Sequence, residues 1–298
     1  MELNPTHLRT LEEIARRRSF SRAADALHLS QPAVSHQIRQ LESQLGVSLL
    51  ERVGKRAWPT RAGELLLERG GRALRELDEA ARAVQQLAGI GGGRVRIGTG
   101  ATASIYLLPP ILRRLHSRHP AIELIVVTGN SGDIAQAVAD NQLDVGLVTL
   151  PISRPQLVVV PFGIDRLVAI APAEPSWRRR APLRPAELAL HPLILYERGG
   201  TIRRVIDDWF RRDRVAPRVA MEFGNSEAIK KLVEAGLGLS VTPAITVRAE
   251  VRAGSLIAIG LAPPLERRLG IVTRRDKPVA GALETVLSAF ARFKARTR

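Results

Sequence analysis

Apolar positions in the 298-residue chain recur at helical spacing through the first ninety residues and in strand-like runs broken by helical stretches after that. Leu8, Leu11, Ile14 and Ala15 predict a first helix, and the Arg16-Arg17-Arg18 run ends it where cations suit the C-terminal dipole. Between Ser19 and Arg52 two further helical patterns follow one another. Ala23, Ala24 and Leu27 mark the inner face of the first; Val34, Ile38, Leu41 and Leu45 mark that of the second. Ser21 is placed to cap the first and Ser30 the second, with Pro32 in the first turn, where a missing N–H costs nothing. The small Ala23-Ala24 pair lets the two helices cross closely. This is helix-turn-helix architecture, whose second helix is offered to a DNA major groove. Gly46 then ends the helical run and Val47–Leu50 returns as a short strand. Residues Arg52–Trp58 read as a wing that turns at Gly54.

Thr60 is placed to cap a long helix running to about Ala88. Along it Leu67, Gly70, Leu74, Leu77, Ala81, Val84 and Ala88 follow at alternating steps of three and four, the pattern of a coiled-coil seam. Packing of this stripe on its own domain is the plainer alternative. Gly70-Gly71 weakens the helix, and the glycines of 89–93 break it and suit a hinge. Beyond them, strands are expected at Val95–Ile97, Ile122–Thr128, Val145–Leu150, Leu167–Ala171, Leu193–Tyr196, Val219–Phe223 and Leu239–Thr242. Helices are expected at Ser104–His116, Ile134–Asp140, Ile202–Arg212, Ser226–Ala235 and Val279–Arg292. Alternation of this kind indicates an α/β fold.

The outward side of the second short helix carries Gln31, Ser35, His36 and Arg39. Glutamine pairs bidentately with adenine, arginine with guanine, and serine with either a base or a phosphate. A solvated polar face is the bland reading. Two capped helices in this order, followed by a basic hairpin, favour DNA instead. Gln31, Pro32, Ser35 and His36 are therefore expected at base edges, and Ser21, Arg22, Arg39, Arg52, Lys55 and Arg56 at the backbone or in the minor groove.

The stretch Ser19-Phe20, Ala23-Ala24, Ser30 through Ser35, Ile38, Leu41-Glu42, Leu45-Gly46 and Arg52 resembles the signature of LysR-type transcriptional regulators. Leu50, where the family usually has Phe, and Pro59, where an apolar residue is usual, depart from it as local packing changes. The resemblance runs the length of the chain and is strongly specific up to about Gly63. It implies an N-terminal all-α winged helix-turn-helix over 1–60 and a linker and dimerisation helix over 61–90. An effector domain of the periplasmic-binding-protein type would fill 91–298, as two Rossmann-like subdomains, 91–162 with 267–298 and 163–266, around a cleft. It also implies a homodimer, with Leu67, Leu74, Leu77, Ala81 and Val84 on its seam, and dimers of dimers giving tetramers. Expected partners are promoter or operator double-stranded DNA and a small effector, with RNA polymerase as a further candidate.

Polar residues follow several strands, where ligands of open α/β sheets collect and helix N-termini favour anions. Thr102, Ser104, Asn130, Ser131, Thr201, Asn225 and Ser226 are such cap candidates. By resemblance, Thr102, Ser104, Thr149 and Thr201 occupy places where relatives bind effectors. A small anionic metabolite is the expected ligand, with Arg198 a candidate for added charge.

Composition narrows the alternatives. There is no Cys, hence no disulfide, thiol switch or thiolate metal site. No apolar run is long enough to span a membrane and the first residues lack a signal segment, so a cytoplasmic protein is expected. Net charge is +16, yet residues 91–298 hold 31 Lys/Arg against 18 Asp/Glu, so most of the excess lies outside the DNA-reading segment. None of the six His has zinc-ligand spacing, His116/His119 being the nearest case, and no nucleophile elbow or phosphate loop is present. No enzyme, cofactor or metal is expected. A ligand carrier or enzyme with an N-terminal oligomerisation segment would leave the polar face of Gln31, Ser35, His36 and Arg39 without a role. A non-specific nucleoid binder would leave some 200 residues of α/β pattern without one.

Overall fold

The computed structural model describes residues 3–53, 56–87, 93–178 and 181–296. The chain forms two compact units, Met1–Ile90 and Gly91–Arg298.

In the first unit α1 (Pro5–Arg17), α2 (Phe20–Leu27) and α3 (Gln31–Leu45) precede a hairpin of β1 (Leu50–Val53) and β2 (Arg56–Pro59), and α4 (Arg61–Leu87) closes it. Asn4 caps α1 by accepting from Thr6 N–H at 2.8 Å. Arg18, in the left-handed region at φ 55°, stops α1 so abruptly that α2 starts two residues later. Its cap is therefore Ser19, whose hydroxyl accepts from Arg22 N–H, and the expected cap Ser21 sits inside the first turn. Ser30 caps α3 through Ala33 N–H, with Pro32 in the first turn, and Gly46 at φ 69° ends it. Strand β1 starts at Leu50 instead of Val47, because the Glu42 carboxylate takes the N–H groups of Leu49 (2.7 Å) and Leu50 (3.3 Å) and ties this stretch to α3.

The core of this unit gathers Leu8, Leu11, Ile14, Ala23, Ala24, Val34, Ile38 and Leu41 with Leu49 and Ala57. Thr60 joins α4 to it, accepting from Gly63 N–H (3.1 Å) and donating to Ser48 O (2.8 Å). Gly63 is required by space: a Cβ there would lie 2.0 Å from Leu49 O. Two expected seam residues also belong to this core. Leu74 is only 3 % exposed within it and Leu67 packs against it, so at these positions packing on the own domain prevails. Farther along α4, Leu77 is 54 % and Val84 66 % exposed, and Ala81 is exposed with them. Ala88 and residues 89–92 of the expected glycine hinge lie outside the described residues, which resume at Gly93.

The second unit is built on one seven-stranded sheet. Its path runs β10 (Leu256–Ile259), β6 (Leu157–Pro172), β11 (Leu265–Arg274), β5 (Val145–Thr149), β3 (Arg94–Thr99), β4 (Glu123–Thr128), with β9 (Ser240–Pro243) also on β6. A separate parallel pair joins β7 (Leu193–Tyr196) to β8 (Val219–Phe223). The helices are α5 (Ala101–Tyr106), α6 (Leu108–Arg118), α7 (Ser131–Ala139), α8 (Pro185–Leu188), α9 (Thr201–Arg212), α10 (Ser226–Glu234), α11 (Arg248–Ala253) and α12 (Gly281–Arg296). Strand β5, parallel to β3 and antiparallel to β11, is buried along its whole length, as a central strand covered on both faces is.

Apolar side chains cluster separately in the two halves of this unit. Ile97, Ile111, Leu147, Val286 and Phe290 pack on one face of the first half, and Ile134, Val138 and Val272 on the other. Ile170, Leu195, Ile206, Trp209, Ile229 and Val241 fill the second half. The antiparallel strands β6 and β11 run through both, paired from Leu265↔Leu167 to Arg274↔Leu157.

Three expectations for this unit are corrected. The helix expected at 104–116 is two helices, because Pro109 and Pro110 lack N–H groups and the chain restarts after Leu107. Strand β6 extends ten residues upstream of Leu167, a stretch masked by Pro161, Gly163 and the exposed Val160 and Ile164. Strands β10 and β11 were not expected.

Candidate functional site

Two places carry the candidate residues, one in each unit. On α3, the side opposite Val34, Ile38 and Leu41 exposes Gln31, Pro32, His36 and Arg39, with Ser35 half-buried among them. Gln31 Nε2 donates to Ser35 Oγ at 2.7 Å, so the two form a joined donor–acceptor pair on the exposed face. Gln37 points the other way, and its Oε1 accepts from the buried Thr10 hydroxyl at 2.6 Å, locking α3 to α1. Partial burial first and the charge of His36 second hold the His7 imidazole below its ordinary pKa.

Ser21 and Arg22 are exposed at the start of α2, and Arg56 is exposed on β2. Lys55 and the Arg52 side chain lie outside the described residues. Arg16 and Arg17 both pair with Glu13, whose one carboxylate offsets one of the three charges of the arginine run. Arg18 does something the sequence pattern did not signal. Its guanidinium lies 4.0 Å from the centre of the Trp58 ring and its carbonyl accepts from Ala57 N–H at 3.0 Å, bracing the wing against the end of α1.

In the second unit a cavity of about 340 Å³ opens between the two halves, at the carboxyl ends of β3, β4, β5, β7 and β8. Thr102, Asn130, Ser131, Thr149, Thr201, Asn225 and Ser226 all line it. Ser104 does not: its hydroxyl donates back to Ala101 O at 2.7 Å. The helices entering the cavity are capped differently from expectation. Gly100 precedes α5 and Gly200 precedes α9, Asn130 precedes α7 without a side-chain bond, and only Asn225 caps with its side chain, through Ala228 N–H at 3.0 Å. Thr102, Ser131, Thr201 and Ser226 are first-turn residues. Glycine and unbonded caps leave first-turn N–H groups of α5, α7 and α9 without side-chain acceptors, a condition that favours anions.

Several wall hydroxyls are already committed. Ser131 Oγ accepts from Thr149 N–H at 2.9 Å, and the Ser226 and Thr242 hydroxyls bond the buried Tyr196 hydroxyl at 2.7 and 2.8 Å. Thr201 differs from these, since its Oγ1 is buried and has no partner. The cations here were missed by sequence reasoning, apart from Arg198, and each has a carboxylate. Arg203 bonds Glu222 (2.9 Å), Asp207 (2.8 Å) and Tyr196 O (2.6 Å); Arg267 bonds Asp165 at 2.7 Å; exposed Arg198 bonds Glu222 at 3.3 Å. Positive potential in the cavity therefore comes from backbone N–H groups more than from free side-chain charge.

Comparison with known proteins gives the following. The family "Bacterial regulatory helix-turn-helix protein, lysR family" matches residues 5–64, and "LysR substrate binding domain" matches 88–294. The RuBisCO operon transcriptional regulator of Allochromatium vinosum is 34 % identical over 304 residues, covering 99 % of both chains. The HTH-type transcriptional regulator YeiE of Escherichia coli K12 is 35 % identical over 289 residues, covering 96 % of this chain and 97 % of the other. Among solved structures, full-length OxyR of Pseudomonas aeruginosa shares 23 % identity at a TM-score of 0.75, over 99 % of this chain and 95 % of its own. CbnR complexed with its target DNA shares 22 % at 0.72, over 99 % of this chain and 100 % of its own. At such identities these structures speak to fold alone.

Proposed function

Since the chain belongs to the LysR family of DNA-binding transcriptional regulators with an effector-binding domain, we propose a division of labour between its residues. Gln31, Pro32, Ser35 and His36 read base edges in a major groove of operator DNA. Ser21, Arg22, Arg39, Arg52, Lys55 and Arg56 fix the register on phosphate or in the minor groove. The observation that carries this reading is the joined Gln31–Ser35 pair on the exposed side of a helix whose opposite side is fully packed. Residues 1–60 act as the DNA-binding domain, 61–90 as the linker through which two chains associate along Leu77, Ala81 and Val84, and 91–298 as the sensor. No enzymatic step is assigned to any residue, and the regulator works in the cytoplasm.

The effector is a small anionic metabolite held in the cleft by N–H groups and hydroxyls from Thr102 to Ser226, with Thr201 Oγ1 among the hydroxyls free to bond it. Bridging both halves, it shifts DNA binding only by its differential affinity for the two hinge states.

Fluorescence anisotropy on the chain's own upstream DNA, with random competitor, tests the DNA reading. Gln31→Ala is expected to lose about 1–3 kcal/mol on the specific site and almost nothing on random DNA; equal loss on both refutes the assignment. For the effector, thermal-shift screening of metabolites comes first, and Thr201→Val is then expected to bind the hit at least tenfold more weakly. Undiminished binding removes Thr201 from the site.

A further inference from the structure

We infer that the groove between α6 and α12 is a second binding site, separate from the cleft, for a small organic dianion with an apolar body. The groove encloses about 390 Å³, a volume within the range of small-molecule pockets. Ile111 and Leu115 form its apolar base. Arg114 and Arg118, one helical turn apart on α6, face Arg292 of α12 across it. Among the described residues none of these three guanidinium groups has a hydrogen-bond or ion-pair partner.

The cleft is the opposite case. There, Arg198, Arg203 and Arg267 each meet a carboxylate. Here, Glu284 is the one carboxylate lining the groove, and it too is unpaired, so three cations face one anion. A charge-matched occupant brings two negative charges. Arg114 is half-buried, so it gives up part of its hydration without any protein group in exchange. Cations in a last helical turn are ordinarily explained by the helix dipole. That account covers Arg118, at the end of α6, but neither Arg114 a turn earlier nor Arg292 on the other helix. Guanidinium forks match carboxylate and phosphate oxygens bidentately, and converging forks above an apolar base hold an anion by its head and a ring or alkyl body by its surface.

Isothermal titration of the full-length protein tests this with three probes. Phenyl phosphate has both features, inorganic phosphate lacks the body, and benzoate lacks the second charge. Phenyl phosphate is expected to bind at least tenfold more tightly than either of the others. Arg114→Ala with Arg118→Ala, and independently Arg292→Ala, are expected to weaken it tenfold or more, while Thr201→Val, in the cleft, leaves it unchanged. Three results overturn the site: equal affinity for phenyl and inorganic phosphate, arginine variants that bind like the parent, or loss of binding in Thr201→Val. Arginine variants that keep phenyl phosphate affinity but weaken operator binding with a shallower salt dependence also overturn it, and mark the groove as a DNA surface instead. Because the cleft and the groove are probed by different variants, failure here leaves the effector reading standing.

Discussion

Lys230→Met tests how the two halves of the effector unit are held to each other. The Lys230 side chain is only 3 % exposed, and its Nζ lies 2.7 Å from Glu250 Oε1, 3.0 Å from Glu227 Oε2, 2.9 Å from the Tyr106 hydroxyl and 3.0 Å from Thr246 O. Tyr106 ends α5 in the first half, while Lys230 and Glu227 lie on α10 in the second. The ammonium thus ties together helices whose first turns supply Thr102 and Ser226 to the cleft. Removing one partner of a buried ion pair costs about 3–5 kcal/mol, because the other is left uncompensated. Glu227 is half exposed and turns to water when released; Glu250, at 17 %, does not. A loss near the lower end, about 3 kcal/mol, is therefore expected. At about 2–4 °C per kcal/mol for a unit of this size, the melting temperature falls by about 6–12 °C.

Urea denaturation followed by tryptophan fluorescence measures the effect, and Lys230→Met with Glu250→Gln is expected to recover part of it. Burial pushes the Lys230 pKa down, but bonds from Glu250, Tyr106 and Glu227 outweigh burial and hold it above the ordinary value. A raised lysine stabilises fully below the unfolded pKa of about 10.4 and loses that contribution as pH rises through the folded value. The difference between parent and variant should stay flat from pH 6 to 9. A loss under about 1 kcal/mol, typical of exposed pairs, or a difference that shrinks in that window, refutes the reasoning.

Two further outcomes concern the first unit. Leu77→Glu places a charge at the exposed apolar stripe of α4, and light scattering is expected to show a smaller species with weaker operator binding; unchanged mass rejects the seam. Gly63→Ala drives a methyl group to 2.0 Å from Leu49 O, so α4 must shift off the hairpin, and a thermal melt is expected to show a loss of at least about 1–3 kcal/mol, as for overpacked sites; an unaltered melt contradicts the close approach.

Much of the architecture was legible because each element announces itself locally. The inner faces of α2 and α3 are read from four- and three-residue spacing, and Ser30 with Pro32 marks a helix start by chemistry alone. Ser19 and Ser21 were indistinguishable as caps from spacing, since the choice depends on where Arg18 turns into the left-handed region. The apolar stripe of α4 was half legible for a similar reason. Leu74 and Leu77 share one sequence stripe, but only the fold of the preceding helices covers the first and leaves the second bare. Long crossover strands are the hardest case. β6 and β11 serve two halves with different surroundings, so no single alternation persists along them.

The candidate cleft shows where residue type stops predicting role. Hydroxyls after strands were the sequence signal, and all of the named ones but Ser104 line the cavity. Yet Ser131 and Ser226 spend their hydroxyls on the wall, whereas Thr201 does not. That distinction depends on partners from β5 and β7, far away in sequence. Charge was misleading in the same way. A surplus of positive residues after 91 does not mark the cleft as a place of free cationic side chains. Instead Arg203 and Arg267 act as struts, each spent on carboxylates of its own surroundings, and unspent arginines gather on α6 and α12. A paired guanidinium offers an incoming anion little, because its carboxylate must first be displaced or shared. An amide N–H at a glycine-capped helix start has no such competitor. On the proposed reading, selection of an effector in this cleft rests on backbone geometry at Gly100 and Gly200 and on hydroxyls without a protein partner, that of Thr201 among them, features that counting charges along a chain cannot register.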